Sequence, residues 1–316
     1  MKMPSKLKWA LVLSGGGARG LAHVGILNAL AEMGAPEPSL VVGTSMGAIV
    51  GGLYACGMGP AELTRFLIDK FDITELLDSF VFKINGPVGK VFQTGQLLGS
   101  LATGAGLDSG RRILELFEEL TEAKTFAETR IPFRCNAVDL AEGRELVFSS
   151  GSVARAMRAS MSFPAFFEPL VEGDRCLVDG GLANNMPVYI ARNEGFSRIL
   201  AVDTGNFSPR PASDFKTGAQ IVYRCLEVVF NMIKRKGEVK AALTVHASND
   251  LSPFEFSRKQ EFVTLGERTI RENKKAVQVF FNGGIRAWFG RKLYRECGVS
   301  LEDTPCTDSI KALKPW

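Results

Sequence analysis

A serine stands between two glycines in Gly43-Thr44-Ser45-Met46-Gly47, where an apolar run, Ser39 to Val42, gives way to a helical pattern. A strand that turns sharply into a helix throws its serine Oγ out of the sheet, and glycines two residues to either side remove the Cβ atoms that would clash. Such a serine lies at a helix N-terminus, where free N–H groups and the positive end of the dipole favour developing negative charge. The chemistry this suits is nucleophilic attack on an acyl carbon. In a chain with 33 glycines the spacing alone is unspecific, and its context matters more. Trp9 to Leu13 reads as a buried strand that runs into Ser14-Gly15-Gly16-Gly17-Ala18-Arg19-Gly20 and then an apolar helix, so two strand–glycine–helix units stand side by side.

Gly15, Gly17 and Gly20 also satisfy the spacing of a dinucleotide-binding turn. That site needs an acid at the end of the second strand to hold the ribose hydroxyls. Here the second strand ends in Gly43-Thr44-Ser45, and the nearby acids, Glu32 and Glu37, fall in the helix and turn before it. The alternative is that the amides of Gly15, Gly16 and Gly17 hold the oxyanion formed when Ser45 attacks, a task that glycines suit because they let backbone approach a ligand closely. Arg19 either clamps the loop to a carbonyl or meets an anionic head group.

A serine nucleophile needs a proton acceptor within reach, and the chain has two histidines, His23 and His246. His23 follows the glycine loop among Leu21, Val24 and Leu27, the pattern of a core histidine. His246 ends a strand-like run, Ala241 to Val245, and Ser45, Asp179, His246 would reproduce the chain order of an α/β-hydrolase triad. The competing base is Asp179 itself, at the end of a strand in Leu177-Val178-Asp179-Gly180-Gly181; burial would raise its pKa and make it a better base toward a hydroxyl.

Taken in order, Gly15 to Gly20, Gly43 to Gly47 and Asp179-Gly180-Gly181 resemble the motifs of the patatin-like phospholipase family. Phe133 to Leu140 with Gly143 is similar to that family's strand pair. Ala156-Met157-Arg158-Ala159-Ser160-Met161-Ser162-Phe163-Pro164 is similar to its Ser- and Pro-containing block, and Asn184, Pro187 and Ile199 to Thr204 also fall within its pattern. The resemblance implies a three-layer α/β/α fold and a Ser–Asp dyad without histidine that hydrolyses lipid esters through an acyl-enzyme. It makes Ser45 the nucleophile, Asp179 the base and the Gly15, Gly16 and Gly17 amides the oxyanion hole, with Arg19, Gly20, Gly43, Gly47, Gly180 and Gly181 in support. No metal or organic cofactor is implied. A Ser45–Asp179–His246 esterase or thioesterase on soluble substrates, and a lipid-binding scaffold without turnover, stay open as alternatives.

The elements that must position these residues alternate: strand Trp9–Leu13, helix Leu21–Met33, strand Leu40–Val42, helix Met46–Cys56 and helix Pro60–Phe71, which predicts an α/β domain with a mostly parallel central sheet covered on both faces. One domain is expected over 8–275, with 276–316 an aromatic and basic extension. Residues 80–108 mix apolar side chains with many glycines and little periodicity, as a lid over a lipid cleft would. Ala219 to Lys236 carries a helical apolar stripe and reads as a core helix. Phe280 to Arg295 mixes aromatic rings with cations, a composition suited to a bilayer interface.

The formal charge of +4 reads as diffuse, too small for a nucleic-acid surface. Six cysteines, at 56, 135, 176, 225, 297 and 306, form no C-x-x-C pair and read as buried free thiols in a reducing compartment. Met1 to Lys8 lacks a signal peptide's apolar run, and no apolar stretch is long enough to span a bilayer. The expectation is cytoplasmic residence with a lipid or fatty-acyl ester substrate, peripheral membrane contact and no nucleic-acid partner.

Overall fold

A computed structural model of the chain describes residues 7–71, 106–216, 218–236 and 240–282. Its strands in chain order are β1 (Ala10–Leu13), β2 (Leu40–Gly43), β3 (Gly106–Asp108), β4 (Phe133–Asp139), β5 (Arg144–Phe148), β6 (Ala165–Phe167), β7 (Leu170–Glu172), β8 (Arg175–Asp179), β9 (Ile199–Asp203) and β10 (Leu243–His246). β10, β9, β1, β2 and β4 lie side by side and parallel. β5 and β8 join β4 antiparallel, and β7 joins β8 antiparallel. The central sheet is therefore mixed, with its antiparallel strands gathered at one end. The short connections there explain this, since tight turns at Gly143 and Gly173, both at positive φ, can join antiparallel neighbours only.

Strand alternation separates two helical layers. Trp9, Leu11 and Leu13 point into one large core with the helices Ala22–Glu32 and Met46–Cys56, while Ala10 and Val12 point into a smaller one with Val188, Ile190 and Ala191 of the helix Val188–Asn193. Parallel strands buried on both faces read as continuous apolar runs, as LeuValLeu of 11–13 and LeuValVal of 40–42 do. The arrangement is the three-layer α/β/α sandwich expected.

The register of β4 holds the most consequential detail. Cys135 pairs with Gly43 of β2 and with Phe148 of β5; Ala137 pairs with Leu146 of β5 and with Asp179 of β8. A strand has two edges and β5 fills one of them, so β2 and β8 share the other. They run toward each other along it, and their C-terminal ends meet head to head, two residues of β4 apart, which is roughly 7 Å at the usual strand rise.

Two expectations are revised at the periphery. The helix Lys274–Phe281 runs past position 275, and Phe280 and Phe281 pack edge-on against Trp9 with ring centroids 5.8 and 5.1 Å away, so these two rings belong to the core. The helix Gly218–Lys236 is not buried: Ile221, Val222, Val229 and Met232 are exposed. Residues 80–105 of the expected lid, and the C-terminal segment beyond 282, lie outside the described residues; 106–108 form β3, paired parallel to β6. Cys56 and Cys135 are buried free thiols, but Cys225 is exposed. Among the described residues no helix is long and apolar enough to cross a membrane.

Candidate active site

β2 ends at Gly43 and the helix Met46–Cys56 begins with only Thr44 and Ser45 between, which leaves Ser45 at φ 52° and ψ −121°. A non-glycine residue at positive φ is strained, and such strain persists only where the surroundings over-determine it. Here they do: a Cβ on Gly43 would overlap the Gly47 carbonyl, and one on Gly47 would overlap the Leu13 and Ser14 carbonyls. The Ser45 N–H is held by Ser160 Oγ at 2.9 Å.

Asp179, at the facing strand end, is 3% exposed. Its carboxylate accepts the Gly181 N–H at 2.7 Å and faces the Ser45 hydroxyl. Burial pushes its pKa up to about 6, against the opposing pull of the Ser45 hydroxyl and the Gly181 N–H. Its own N–H donates to the Ser162 carbonyl at 2.9 Å. The buried Arg158 guanidinium donates to Ser162 Oγ and to the carbonyls of Ser109, Gly110 and Glu168, and burial lowers its pKa to about 10.

The glycine loop lies beside this pair. Gly15 donates its N–H to the Asn185 carbonyl at 3.0 Å, so that amide is already committed. Among the described residues the N–H groups of Gly16 and Gly17 have no acceptor, and both glycines line the cavity that holds Ser45 and Asp179. Gly17, at φ 56°, opens a short 3-10 turn to Leu21, and a Cβ there would strike the Pro253 carbonyl. Gly20, in that turn, packs against Met46. Arg19 donates to the Asn206 carbonyl at 3.1 Å, a clamp between loops, and also lines the cavity.

The histidines are elsewhere. His23 is fully buried with Nε2 2.8 Å from the Ser14 carbonyl, and burial lowers its pKa to about 4, so it stays neutral and donates that bond. His246 ends β10, three inter-strand steps from β2 and so roughly 14 Å away at usual strand spacing; its Nδ1 is 3.0 Å from Asp203 Oδ2. The structure brings Ser45 and Asp179 together and leaves His246 out.

One residue that the sequence reading passed over joins the two strand ends. Asn136 lies on β4 between Cys135 and Ala137 and is fully buried. Its Oδ1 accepts the Thr44 hydroxyl at 2.7 Å, and its Nδ2 faces the carbonyls of Gly180 and Asn184 at 3.2 and 3.0 Å and Glu145 Oε1 at 2.7 Å. The signal was an amide in the middle of a buried strand, where a polar side chain must find partners.

Beyond these groups the cavity wall is mostly apolar, with Asp203, Asn206, Glu227 and Asn231 as further polar members. Among the described residues nine phenylalanines line it, including Phe71, Phe163, Phe166, Phe230 and Phe254, so whatever enters presents hydrocarbon to most of the wall and something reactive to Ser45.

A serine on a strained strand-to-helix elbow, set beside a buried acid in an α/β/α sandwich, is the arrangement of the patatin-type α/β fold. The chain belongs to the patatin-like phospholipase family, whose family model matches residues 11–192. It is 34% identical over 202 residues to the lysophospholipase NTE1 of Kluyveromyces lactis, a match covering 63% of this chain and 13% of that protein. It is also 34% identical over 201 residues to human patatin-like phospholipase domain-containing protein 6, covering 62% of this chain and 13% of the relative. The matched region is thus about an eighth of the length of these relatives. Among solved structures, VipD from Legionella pneumophila superposes with a TM-score of 0.50 at 17% identity, over 85% of this chain and 66% of that one, a likeness of fold.

Proposed function

We propose that the chain is a lipid acyl hydrolase that works through a Ser45–Asp179 dyad. The observation that carries this reading is the placement of Ser45 beside the buried carboxylate of Asp179, where the two strand ends meet and both residues line a phenylalanine-rich cavity. Asp179 takes the hydroxyl proton as Ser45 Oγ attacks the ester carbonyl carbon, and the carbonyl electron pair moves onto oxygen, where the Gly16 and Gly17 amides meet it. Collapse expels the alcohol, which leaves with the proton from Asp179. Asp179 then deprotonates a water that attacks the acyl-enzyme, releasing the fatty acid and restoring Ser45. The oxyanion hole is narrower than the sequence suggested, because the Gly15 amide already serves Asn185.

The curated relatives named lysophospholipases point to single-chain phospholipids as the first substrates to try. Purified protein assayed on lysophosphatidylcholine and on the matching diacyl lipid should release fatty acid from the former, and a fluorophosphonate probe should label Ser45. A folded protein that takes no probe and releases no fatty acid would replace the hydrolase by a lipid-binding scaffold.

A further inference from the structure

The long helix Gly218–Lys236 lies in the connection between β9 and β10, and its two sides differ. Glu227, Phe230 and Asn231 line the cavity that holds Ser45. Ile221, Val222, Val229 and Met232, on another side, are 49, 59, 42 and 49% exposed, and Cys225 between them is exposed as well. At about 100° per residue these five positions fall within one arc of about 100°, spread along roughly 16 Å of helix, so they form a stripe. Phe207, on the segment leading into this helix, is 39% exposed, lines the cavity wall, and sits 4.1 Å beneath the guanidinium of Arg224 on the helix. One helix therefore carries both a wall of the cleft and an exposed apolar stripe.

The sequence of this connection is also the basic part of the chain. Between β9 and β10, residues 204–242 contain seven Lys or Arg (Arg210, Lys216, Arg224, Lys234, Arg235, Lys236 and Lys240) against three acids (Asp214, Glu227 and Glu238). That balance of +4 equals the formal charge of the entire chain, so the remaining residues are neutral in sum and the charge is not diffuse. An exposed apolar stripe on a segment whose sequence carries excess positive charge suits the surface of an anionic bilayer, where side chains enter the acyl boundary and cations meet head groups.

We infer that the outer face of the helix Gly218–Lys236 docks on an anionic phospholipid membrane and sets the cleft mouth at Phe207 against the lipid. This rests on the reading of the cavity as an acyl-lipid site, while docking itself needs no turnover.

The test uses full-length Ser45→Ala protein, which cannot consume the vesicles, in flotation with phosphatidylcholine vesicles with and without 30% phosphatidylglycerol. Binding should require phosphatidylglycerol, fall at least tenfold in V222E/V229E, and fall as well in K234Q/R235Q/K236Q. With Ser45 restored, V222E/V229E should hydrolyse a short soluble ester within twofold of wild type, because neither valine lines the cavity. Met232→Trp guards against a glutamate variant that misfolds: it should bind more tightly, with its fluorescence shifted to the blue. Vesicle binding that V222E/V229E leaves unchanged, or a Met232→Trp emission that vesicles do not move, overturns the inference. A change in oligomeric state with unaltered vesicle binding assigns the face to a second copy of the chain instead. Intact vesicle binding by a wild type without esterase activity would sink the hydrolase reading alone.

Discussion

Two acid-centred pairs sit at the same edge of one sheet, and they came together by different routes. Asp203 and His246 are register partners on adjacent parallel strands, so ordinary sheet pairing makes them neighbours, and the His246 side chain remains half exposed. Ser45 and Asp179 belong to strands that never pair with each other. They meet because β2 and β8 approach from opposite directions along one edge of β4, and Asn136 ties the ends together from the residue between their partners. In the first pair the acid is buried and lines the cavity, but its half-exposed partner His246 does not line it. In the second pair both residues line it.

Breaking the second pair should cost most. Ser45→Ala is expected to lower kcat on a soluble ester by about 10⁴-fold or more, and Asp179→Asn by roughly 10³- to 10⁴-fold, each measured on protein with a native circular-dichroism spectrum. Asn136→Ala removes the tie but neither reacting group. It should lower kcat by roughly 10- to 100-fold with little change in KM, as small misplacements do. It should also cost about 2 kcal/mol of stability in urea titrations, because buried partners are left unsatisfied.

Proton occupancy sharpens the contrast. Asp179 must be ionised to accept a proton, so kcat/KM should rise with pH through about 6 and then level off. The same raised pKa costs stability: between about pH 4 and 6 the unfolded chain has lost this proton and the folded one keeps it, so stability falls as pH rises. Asp179→Asn should therefore be more stable than wild type at pH 8, by up to about 3 kcal/mol from the gap between 3.8 and about 6, and the gain, read in urea titrations, should vanish below pH 4. His246→Ala is expected to do least, with kcat within about twofold of wild type; a loss comparable to that of Asp179→Asn would replace the dyad by a triad.

Much of this was legible from the chain alone, where local chemistry decided it. The apolar runs at 10–13 and 40–43, the glycines on both sides of Ser45 and the acid ending β8 each report on their own neighbourhood. The meeting of β2 with β8 was not legible, since it depends on registers fixed by residues that lie far apart in sequence. Nor was the work of Asn136, whose partners Thr44, Gly180 and Asn184 come from other elements. The helix 218–236 was misread for a different reason: its apolar residues serve both a cavity wall and an outer face, and periodicity records that a position is apolar without saying what it faces.

The head-to-head strand ends also separate two kinds of damage. Side-chain packing sets most distances in a protein, and it relaxes when a core residue is trimmed. The gap between Gly43 and Asp179 is instead spanned by peptide units of β4, whose bond lengths and angles hardly yield. Loosening the core should thus shorten the life of the folded molecule while those that remain folded keep their reacting groups in place. A single residue inserted at 136 would do the reverse, sparing most of the packing and spoiling the gauge by which serine and acid are set.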